Sequence, residues 1–122
     1  NGDLDYDKNY TWGFELVENG EYKANTWQGI FPITNTGDDG FIFTSPVGYF
    51  GKNKLNLTDM GGNVWQWCSD QSPSRKGEMN QRGGSFLCDP LVCHGYKVGG
   101  VSSSTPETSL FHVGFRCARD GR

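Results

Sequence analysis

The sequence predicts a single β-rich domain in which irregular loops outweigh regular strands. Its 122 residues are enough for one domain with a modest core. The 18 glycines and five prolines predict many turns. No segment shows sustained helical periodicity, whereas several short stretches alternate apolar and polar residues, as strands with one buried face do.

The N-terminal part of the chain is predicted to form one hairpin followed by a long ordered loop. Residues 1–8 are polar and are expected to fray. Residues 11–22 contain Asn19-Gly20, a strong signal for a tight turn between two strands. Residues 24–50 are rich in Gly, Asn, Asp and Pro, a composition that favours a loop.

The C-terminal part is predicted to contain three strands separated by loops. Residues 64–67 and 83–88 have strand-like patterns, and a final strand places Val113, Phe115 and Cys117 on one apolar face. Residues 69–81 and 97–108 are polar or rich in small residues and are predicted to be loops. The four tryptophans and eight phenylalanines are expected to supply the bulk of the core.

Charge and hydropathy exclude two classes of partner. The net charge is −3, both signs are interspersed, and no basic stripe is present, so nucleic acid is not an expected partner. No apolar run reaches membrane-spanning length and no signal-peptide pattern opens the chain, so no membrane association is expected.

The most informative feature is a pair of cysteines, Cys88 and Cys93, separated by a short segment that contains Pro90. A straight strand would hold their sulfurs apart on opposite faces, whereas a proline-interrupted bend can bring them together. Two such sulfurs can close as a structural disulfide or, as thiolates, bind a soft metal ion such as Cu(I). The spacing leaves both interpretations open.

These cysteines belong to an ordered series of motifs that closely resembles the formylglycine-generating enzymes, also called sulfatase-modifying factors. The motifs are residues 24–32 (ANTWQGIFP), 34–41 (TNTGDDGF), 44–48 (TSPVG), 59–67 (DMGGNVWQW), 82–93 (RGGSFLCDPLVC), 105–109 (TPETS) and 112–117 (HVGFRC). The resemblance implies a C-type-lectin-like α+β fold with sparse regular structure. Residues 1–122 would be the C-terminal portion of one domain, and the missing N-terminal half is an expected partner.

The same resemblance implies an oxidoreductase that converts a substrate cysteine to formylglycine. Cys88 and Cys93 would hold Cu(I), the substrate thiolate would join the metal, and oxygen would be activated there. The substrate would be a sulfatase segment of the Cys-x-Pro-x-Arg type, bound in an extended conformation. Ser85 would line the active site, and His112 and Trp65 would face the substrate. Their plainer roles are a serine bonded to backbone, a packed histidine and a core tryptophan.

Two calcium sites are also implied by the resemblance. The first would use side-chain oxygens of Asn25 and Asp39 with the carbonyls of Thr26 and Phe41, donors of the kind that Ca²⁺ prefers. The second would use Asp59, Gly62, Val64 and Gln66. Gln66 replaces the usual Glu, so affinity there is expected to be weaker. Asx-type turns are the alternative interpretation of both.

Other interpretations of the chain remain. A Ca²⁺-stabilised binding module could keep the scaffold without the chemistry, as paralogues that lack the cysteines do. The iron-dependent sulfoxide synthases fit poorly, because they need several histidines and this chain has only His94 and His112. Cys68 and Cys117 are expected to be buried free thiols. The local sequences of residues 67–70 and 93–96 resemble those of bacterial family members. A bacterial protein is therefore expected, located in either the cytoplasm or the periplasm.

Overall fold

The computed structural model describes residues 9–91 and 93–121, and these contain eight short strands and no helix. The first two, β1 (Val17–Glu18) and β2 (Glu21–Tyr22), form an antiparallel hairpin. Asn19 and Gly20 join them with φ values of 52° and 78°. A two-residue turn with both residues in the left-handed region matches the twist of the flanking strands, so the predicted hairpin is confirmed.

A second hairpin lies within the segment predicted to be loop. Strands β3 (Gly29–Ile30) and β4 (Thr34–Asn35) pair antiparallel across a turn in which Ile33 N–H donates to the Ile30 carbonyl at 2.8 Å. Gly29 has φ 100°, and a Cβ there would lie 2.5 Å from the Thr34 carbonyl oxygen. The hairpin therefore requires glycine at position 29, although the sequence pattern had predicted this segment to be a loop.

The main element is a four-stranded sheet in the order β7-β6-β5-β8. It comprises β5 (Trp65–Gln71), β6 (Met79–Arg82), β7 (Ser102–Ser104) and β8 (Val113–Gly114). The β5–β6 and β6–β7 pairs are antiparallel, whereas β5 and β8 are parallel, with Trp65 opposite Val113. The predicted strand at 64–67 is thus confirmed, and it continues further than expected.

Several strand predictions in this half were wrong. The predicted loops 69–81 and 97–108 contribute the end of β5, the start of β6 and all of β7. Their polar residues form strands because half-exposed sheet positions need no apolar alternation. The predicted strand at 83–88 is absent: Gly83 and Gly84 adopt φ 99° and 69° and turn the chain. The final strand ends at Gly114, so Phe115 and Cys117 are exposed.

The core is small and partly polar. The buried apolar residues are Ala24, Trp27, Phe86, Cys88 and Tyr96. The expectation of a phenylalanine-rich core was wrong, since five of the eight phenylalanines are exposed: Phe14, Phe31, Phe43, Phe111 and Phe115. Buried amides and hydroxyls take up much of the interior instead, and they concentrate around the loops described next.

None of the described residues belongs to a helix that is long and apolar enough to cross a membrane.

Candidate active site and cation-binding loops

The two cysteines predicted to act together are joined in the structure as a disulfide, with their Cα atoms 5.5 Å apart. The loop between them is bent, because Cys88 N–H donates to the Ser85 carbonyl at 3.1 Å and Cys93 N–H donates to the Asp89 carbonyl at 2.7 Å. Asp89 also accepts the Leu91 N–H at 3.0 Å through its side chain. The predicted bend is confirmed, and the disulfide is one of the two states that the spacing left open.

The two sulfurs lie in different surroundings. Cys88 is only 5% exposed, whereas Cys93 is half-buried. The backbone N–H of Gly95 donates to the Cys93 sulfur at 3.4 Å. A donor aimed at sulfur favours negative charge on it. Cys93 is therefore the more accessible of the two and the one whose reduced form is stabilised by a backbone dipole.

Two residues that were not predicted to have a role in the site hold the cysteine loop in place. Asn63, buried and with φ 65°, accepts the Phe86 N–H on its own carbonyl at 2.9 Å. Tyr96, also buried, directs its hydroxyl toward the carbonyls of Ser85 and Cys88. Burial raises the pKa of Tyr96 far above its ordinary value, so the hydroxyl keeps its proton.

Asn63 also connects the cysteine loop to two other loops. Its side-chain oxygen accepts the Ser45 N–H at 2.9 Å and the Asn25 amide at 3.2 Å, and its backbone N–H donates to the Asn25 carbonyl at 2.8 Å. A left-handed asparagine following two glycines is the sequence signal that could have identified it. Nothing in the local sequence distinguishes Tyr96 from an ordinary core tyrosine.

Ser85 is placed as a buried backbone-bonded residue. It is 1% exposed, and its hydroxyl oxygen accepts the Leu87 N–H at 3.2 Å. This is the plainer of the two roles that the sequence left open. The residue lies at the start of the bent loop, so its hydroxyl shapes the turn that leads to Cys88.

His112 and Trp65 are brought together by the parallel strand pair. The Trp65 N–H donates to the His112 carbonyl at 2.8 Å, and Trp65 packs so close to Gly95 that a Cβ there would lie 2.6 Å from its ring. Trp65 thus borders the segment that follows Cys93. The His112 Nδ1 atom is buried without a hydrogen-bond partner, and burial lowers the pKa of this imidazole.

The first predicted calcium loop brings its four residues together around buried oxygens. Asn25, Thr26 and Asp39 are buried and Phe41 is half-buried. The Asp39 carboxylate accepts N–H groups from Thr26 at 2.8 Å and Phe41 at 3.0 Å, and the Gln28 amide at 3.1 Å. The side-chain oxygen of Asn25 is buried and accepts no hydrogen bond from any described residue, so it is available as an oxygen ligand. The donor set fits a hard cation.

The second predicted calcium loop is closed on itself. The Gln66 side-chain amide donates to the Asp59 carbonyl at 2.5 Å, and the Asp59 carboxylate accepts the Gly48 N–H at 2.7 Å. Gly62 donates its N–H to the Gly83 carbonyl at 2.7 Å. The Gln66 amide N–H thus occupies the position where a glutamate would supply a negatively charged oxygen. The second loop therefore fits a cation less well than the first loop does.

Acidic, histidine and cysteine side chains are the usual protein ligands of metal ions. Across residues 9–91 and 93–121, no group of three or more His, Cys, Asp or Glu could hold a metal ion. His94 is exposed on the segment after Cys93, and His112 lies beside β8. His94 and His112 thus lie on separate segments of the described part of the chain.

Comparison with known proteins gives one family over nearly the whole chain. The family model described as "Sulfatase-modifying factor enzyme 1-like domain" matches residues 2–121. The chain is 39% identical to a formylglycine-generating enzyme of Thermomonospora curvata, over 91% of this chain and 43% of the relative. It is 35% identical to an "Inactive C-alpha-formylglycine-generating enzyme 2" of Bos taurus, over 89% of this chain and 36% of the relative.

A solved structure agrees with the sequence comparisons. PvdO from Pseudomonas aeruginosa superposes with a TM-score of 0.63 and 25% identity, covering 81% of this chain and 41% of that protein. This chain therefore spans less than half the length of the proteins it matches, and it does so with the same fold.

Proposed function

Because this chain belongs to the family of sulfatase-modifying factor enzyme 1-like domains, we propose that it carries out copper-dependent oxidation of a substrate cysteine to formylglycine. The observation that supports this most directly is the paired sulfurs of Cys88 and Cys93 on one bent loop. A relative named as a formylglycine-generating enzyme shares 39% of its aligned residues with this chain. The proposed substrate is a sulfatase segment of the Cys-x-Pro-x-Arg type.

The proposed cofactor is Cu(I), held by Cys88 and Cys93 after reduction of their disulfide. Two soft sulfur donors already adjacent in space are a suitable ligand set for this ion. When bound, copper supplies the one-electron oxygen chemistry that side chains cannot perform. Overall, the substrate thiol becomes an aldehyde, its sulfur leaves as sulfide, oxygen is reduced to water, and an external thiol supplies the remaining electrons.

The chain's own residues position and shield the reacting groups. Burial of Cys88 keeps one sulfur away from water, while the half-buried Cys93 leaves an approach for substrate. The Gly95 N–H stabilises negative charge on the Cys93 sulfur. Trp65 offers an aromatic wall beside this loop. Burial lowers the pKa of His112, which favours a neutral imidazole in the strand pair that positions Trp65.

Calcium is proposed as a structural cation at the first loop. There the buried side-chain oxygen of Asn25 and the Asp39 carboxylate would give the hard donors that calcium needs. Asn63 joins this loop to Phe86, just before Cys88. A cation at Asn25 would therefore stabilise the scaffold on which the cysteine loop rests. At the second loop, Gln66 makes binding weaker at best.

We also propose that the remainder of the family domain completes the site. The relatives are more than twice the length that this chain matches. Phe43 and Phe111 are each 68% exposed, yet both pack their rings on buried Phe86, close to Cys88. Exposed aromatic side chains of this kind are typical of an interface. A peptide groove at the cysteine loop would then be shared with that remainder.

The second candidate is a Ca²⁺-stabilised binding module without chemistry. The 35% identity to a relative named as inactive supports it, as does a Cys88–Cys93 pair closed as a disulfide. In this case the same scaffold would present its exposed surface to a partner and would not need reduced thiols.

The decisive experiment measures aldehyde formation together with copper uptake. Reduced protein, with the remainder of its domain present, should bind about one Cu(I) per chain. Given oxygen and a thiol reductant, it should convert the cysteine of a Cys-x-Pro-x-Arg peptide to an aldehyde, detected by mass spectrometry and hydrazine trapping. Cys88→Ser or Cys93→Ser should lower the rate roughly a hundredfold or more, since even outer contacts of metal ligands are worth 10–100-fold.

Cys68→Ser is the matched control. Cys68 is a free, half-buried thiol whose pKa is raised by burial and by Asp70, so its loss should change neither copper uptake nor rate. If copper binds normally and no aldehyde forms, the binding module is the better description. If the Cys88/Cys93 double serine variant binds Cu(I) as tightly as the parent, the assignment of the copper ligands is wrong.

A further inference from the structure

Tyr96 connects the two ends of the cysteine loop by a route other than the disulfide. It follows Cys93 by three residues and is 2% exposed. Its hydroxyl donates to the Ser85 carbonyl at 2.6 Å and also lies within hydrogen-bonding contact of the Cys88 carbonyl, eight residues back along the chain. One proton can serve only one carbonyl at a time, so the phenol holds both in a shared position.

The ring of Tyr96 is itself fixed by the backbone around it. Gly84 has φ 69°, and a Cβ at this position would lie 2.8 Å from the Tyr96 ring. Gly95, next to Tyr96, is pressed against the Trp65 ring in the same way. The absence of side chains at both glycines lets the phenol sit directly under the turn that leads to Cys88. The hydroxyl therefore has little freedom to move relative to that turn.

The Cys88 carbonyl depends on this contact. Within the part of the chain that the structure describes, its only hydrogen bond is the one with Tyr96. Cys88 is buried, so water cannot readily replace a lost donor. A buried carbonyl left without a partner destabilises the local conformation that contains it. Removing the phenolic oxygen should therefore loosen the backbone that carries the Cys88 sulfur.

We propose that Tyr96 is a positioning residue that holds the Cys88 sulfur beside that of Cys93. The inference deepens the proposed function, because it concerns the same cysteine pair. It does not require the enzyme assignment, because two sulfurs held together favour disulfide closure as well as metal binding. An ordinary core tyrosine would stabilise the fold as a whole and leave the effective concentration of one thiol at the other unchanged.

The test is Tyr96→Phe in the intact protein, measured in a glutathione redox buffer without metal or substrate. The effective concentration of the Cys88–Cys93 pair should fall roughly three- to tenfold, which is the worth of one hydrogen bond. For a two-electron couple, this raises the reduction potential by about 15–30 mV. Cu(I) affinity of the reduced protein, measured by competition with a chelator, should fall by a similar factor.

Two control variants separate positioning from general stability. Tyr49→Phe removes a phenol that is 60% exposed and should leave the redox equilibrium unchanged. Asn80→Ala removes a buried amide that bonds Asp70 in the distant β5–β6 pair, so it should lower the melting temperature without affecting the redox equilibrium.

Three results would overturn the proposal. The first is a parental redox equilibrium in Tyr96→Phe, and the second is an equal shift in Asn80→Ala. The third is unfolding of Tyr96→Phe under conditions where Asn80→Ala stays folded, since that would make Tyr96 a residue of general stability. If Tyr96→Phe shows the expected redox shift but the parent forms no aldehyde, this proposal stands and the proposed enzyme function is rejected.

Discussion

His112 shows how the surroundings of one side chain set its protonation state. Its Nδ1 atom is buried without a partner, and desolvation lowers the pKa from its ordinary 6.5. The folded state therefore binds fewer protons at this site than the unfolded state does. The stability gained from a neutral His112 is present above about pH 6.5 and is lost as pH falls through the lower folded-state pKa.

A His112→Asn variant tests this expectation. Its free energy of unfolding should decline less than that of the parent between about pH 7 and pH 5, because the titrating group is gone. Denaturant melts at a series of pH values measure the difference. The exposed His94 provides a matched control, His94→Asn. If the two variants change the pH dependence equally, the burial of His112 has no effect on its protonation.

Single residues also mark where sequence reasoning succeeded and failed. Asn19-Gly20 was predictable because a two-residue turn needs left-handed φ values that these residues supply locally. Tyr96 was not predictable, because its role depends on carbonyls that only the folded loop brings to its hydroxyl. The bend between Cys88 and Cys93 was foreseen from Pro90, whereas the state of the sulfurs could not be chosen from spacing.

At the scale of elements, the proposed site residues lie mostly on loops that the strands hold in place. The loop around Asp39 is connected to the cysteine loop through Asn25 and Asn63, with contacts of 2.8–3.2 Å. The loop around Gln66 instead closes through an amide-to-carbonyl bond with Asp59. The two loops are therefore expected to respond differently to added cation.

Removal of calcium should lower the melting temperature of the parent by about 10 °C. A ligand present at 100 times its dissociation constant stabilises the folded state by about 2.7 kcal/mol, and 1 kcal/mol corresponds to roughly 4 °C in a domain of this size. Asp39→Ala should abolish most of the chelator effect, because it removes the charged donor. Thermal melts of the parent and of Asp39→Ala, each with and without chelator, measure the two shifts in melting temperature.

The neighbouring Asp38 is exposed and makes Asp38→Ala the control, which should keep the calcium response. Gln66→Glu should add a second calcium-dependent increment, because it restores a carboxylate beside the Asp59 carbonyl. Identical melting curves in calcium and in chelator would mean that both loops are hydrogen-bonded turns.

Strand predictions failed where pairing was nonlocal. Ser102–Ser104 has no apolar alternation, yet it pairs with Met79–Arg82 to form the sheet edge. Gly83 and Gly84 lie in a stretch that reads as a strand, but their φ values turn the chain toward Cys88. The pairing partner of Ser102–Ser104 lies far away along the chain, and local propensity contains no information about that partner. Gly83 and Gly84 turn the chain because glycine readily adopts left-handed φ values, which a strand-like pattern does not reveal.

On the scale of the whole molecule, the exposed aromatic pair Phe43 and Phe111 forms an apolar surface that the described residues leave uncovered. The aromatic composition predicted that the rings would supply the core, and for most phenylalanines this was wrong. It could not show that Phe86 alone is buried while its two neighbours remain 68% exposed. The family fold was recognisable from the ordered motifs, which run from residue 24 to residue 117, and the family model matches residues 2–121 of this chain.

The remainder of the family domain, supplied as a separate chain, should bind through this aromatic pair. Phe43→Ser should weaken that association about 10–100-fold, because burial of a phenylalanine side chain is worth about 1.5–3 kcal/mol. Calorimetric titration measures the dissociation constant. Val47→Ser is the control, because Val47 is 85% exposed and has no ring contact with Phe86. Equal affinities for the parent and Phe43→Ser would place the interface elsewhere.

The parallel pairing of β5 with β8 has a consequence for synthesis on the ribosome. Trp65 pairs with His112 and Val113, so this side of the sheet cannot form until those later residues have been synthesised. The chain from Cys88 to Cys93 leaves the exit tunnel earlier than those residues. Both thiols can therefore meet an oxidant while this side of the sheet is still incomplete, so the disulfide can close before the sheet does.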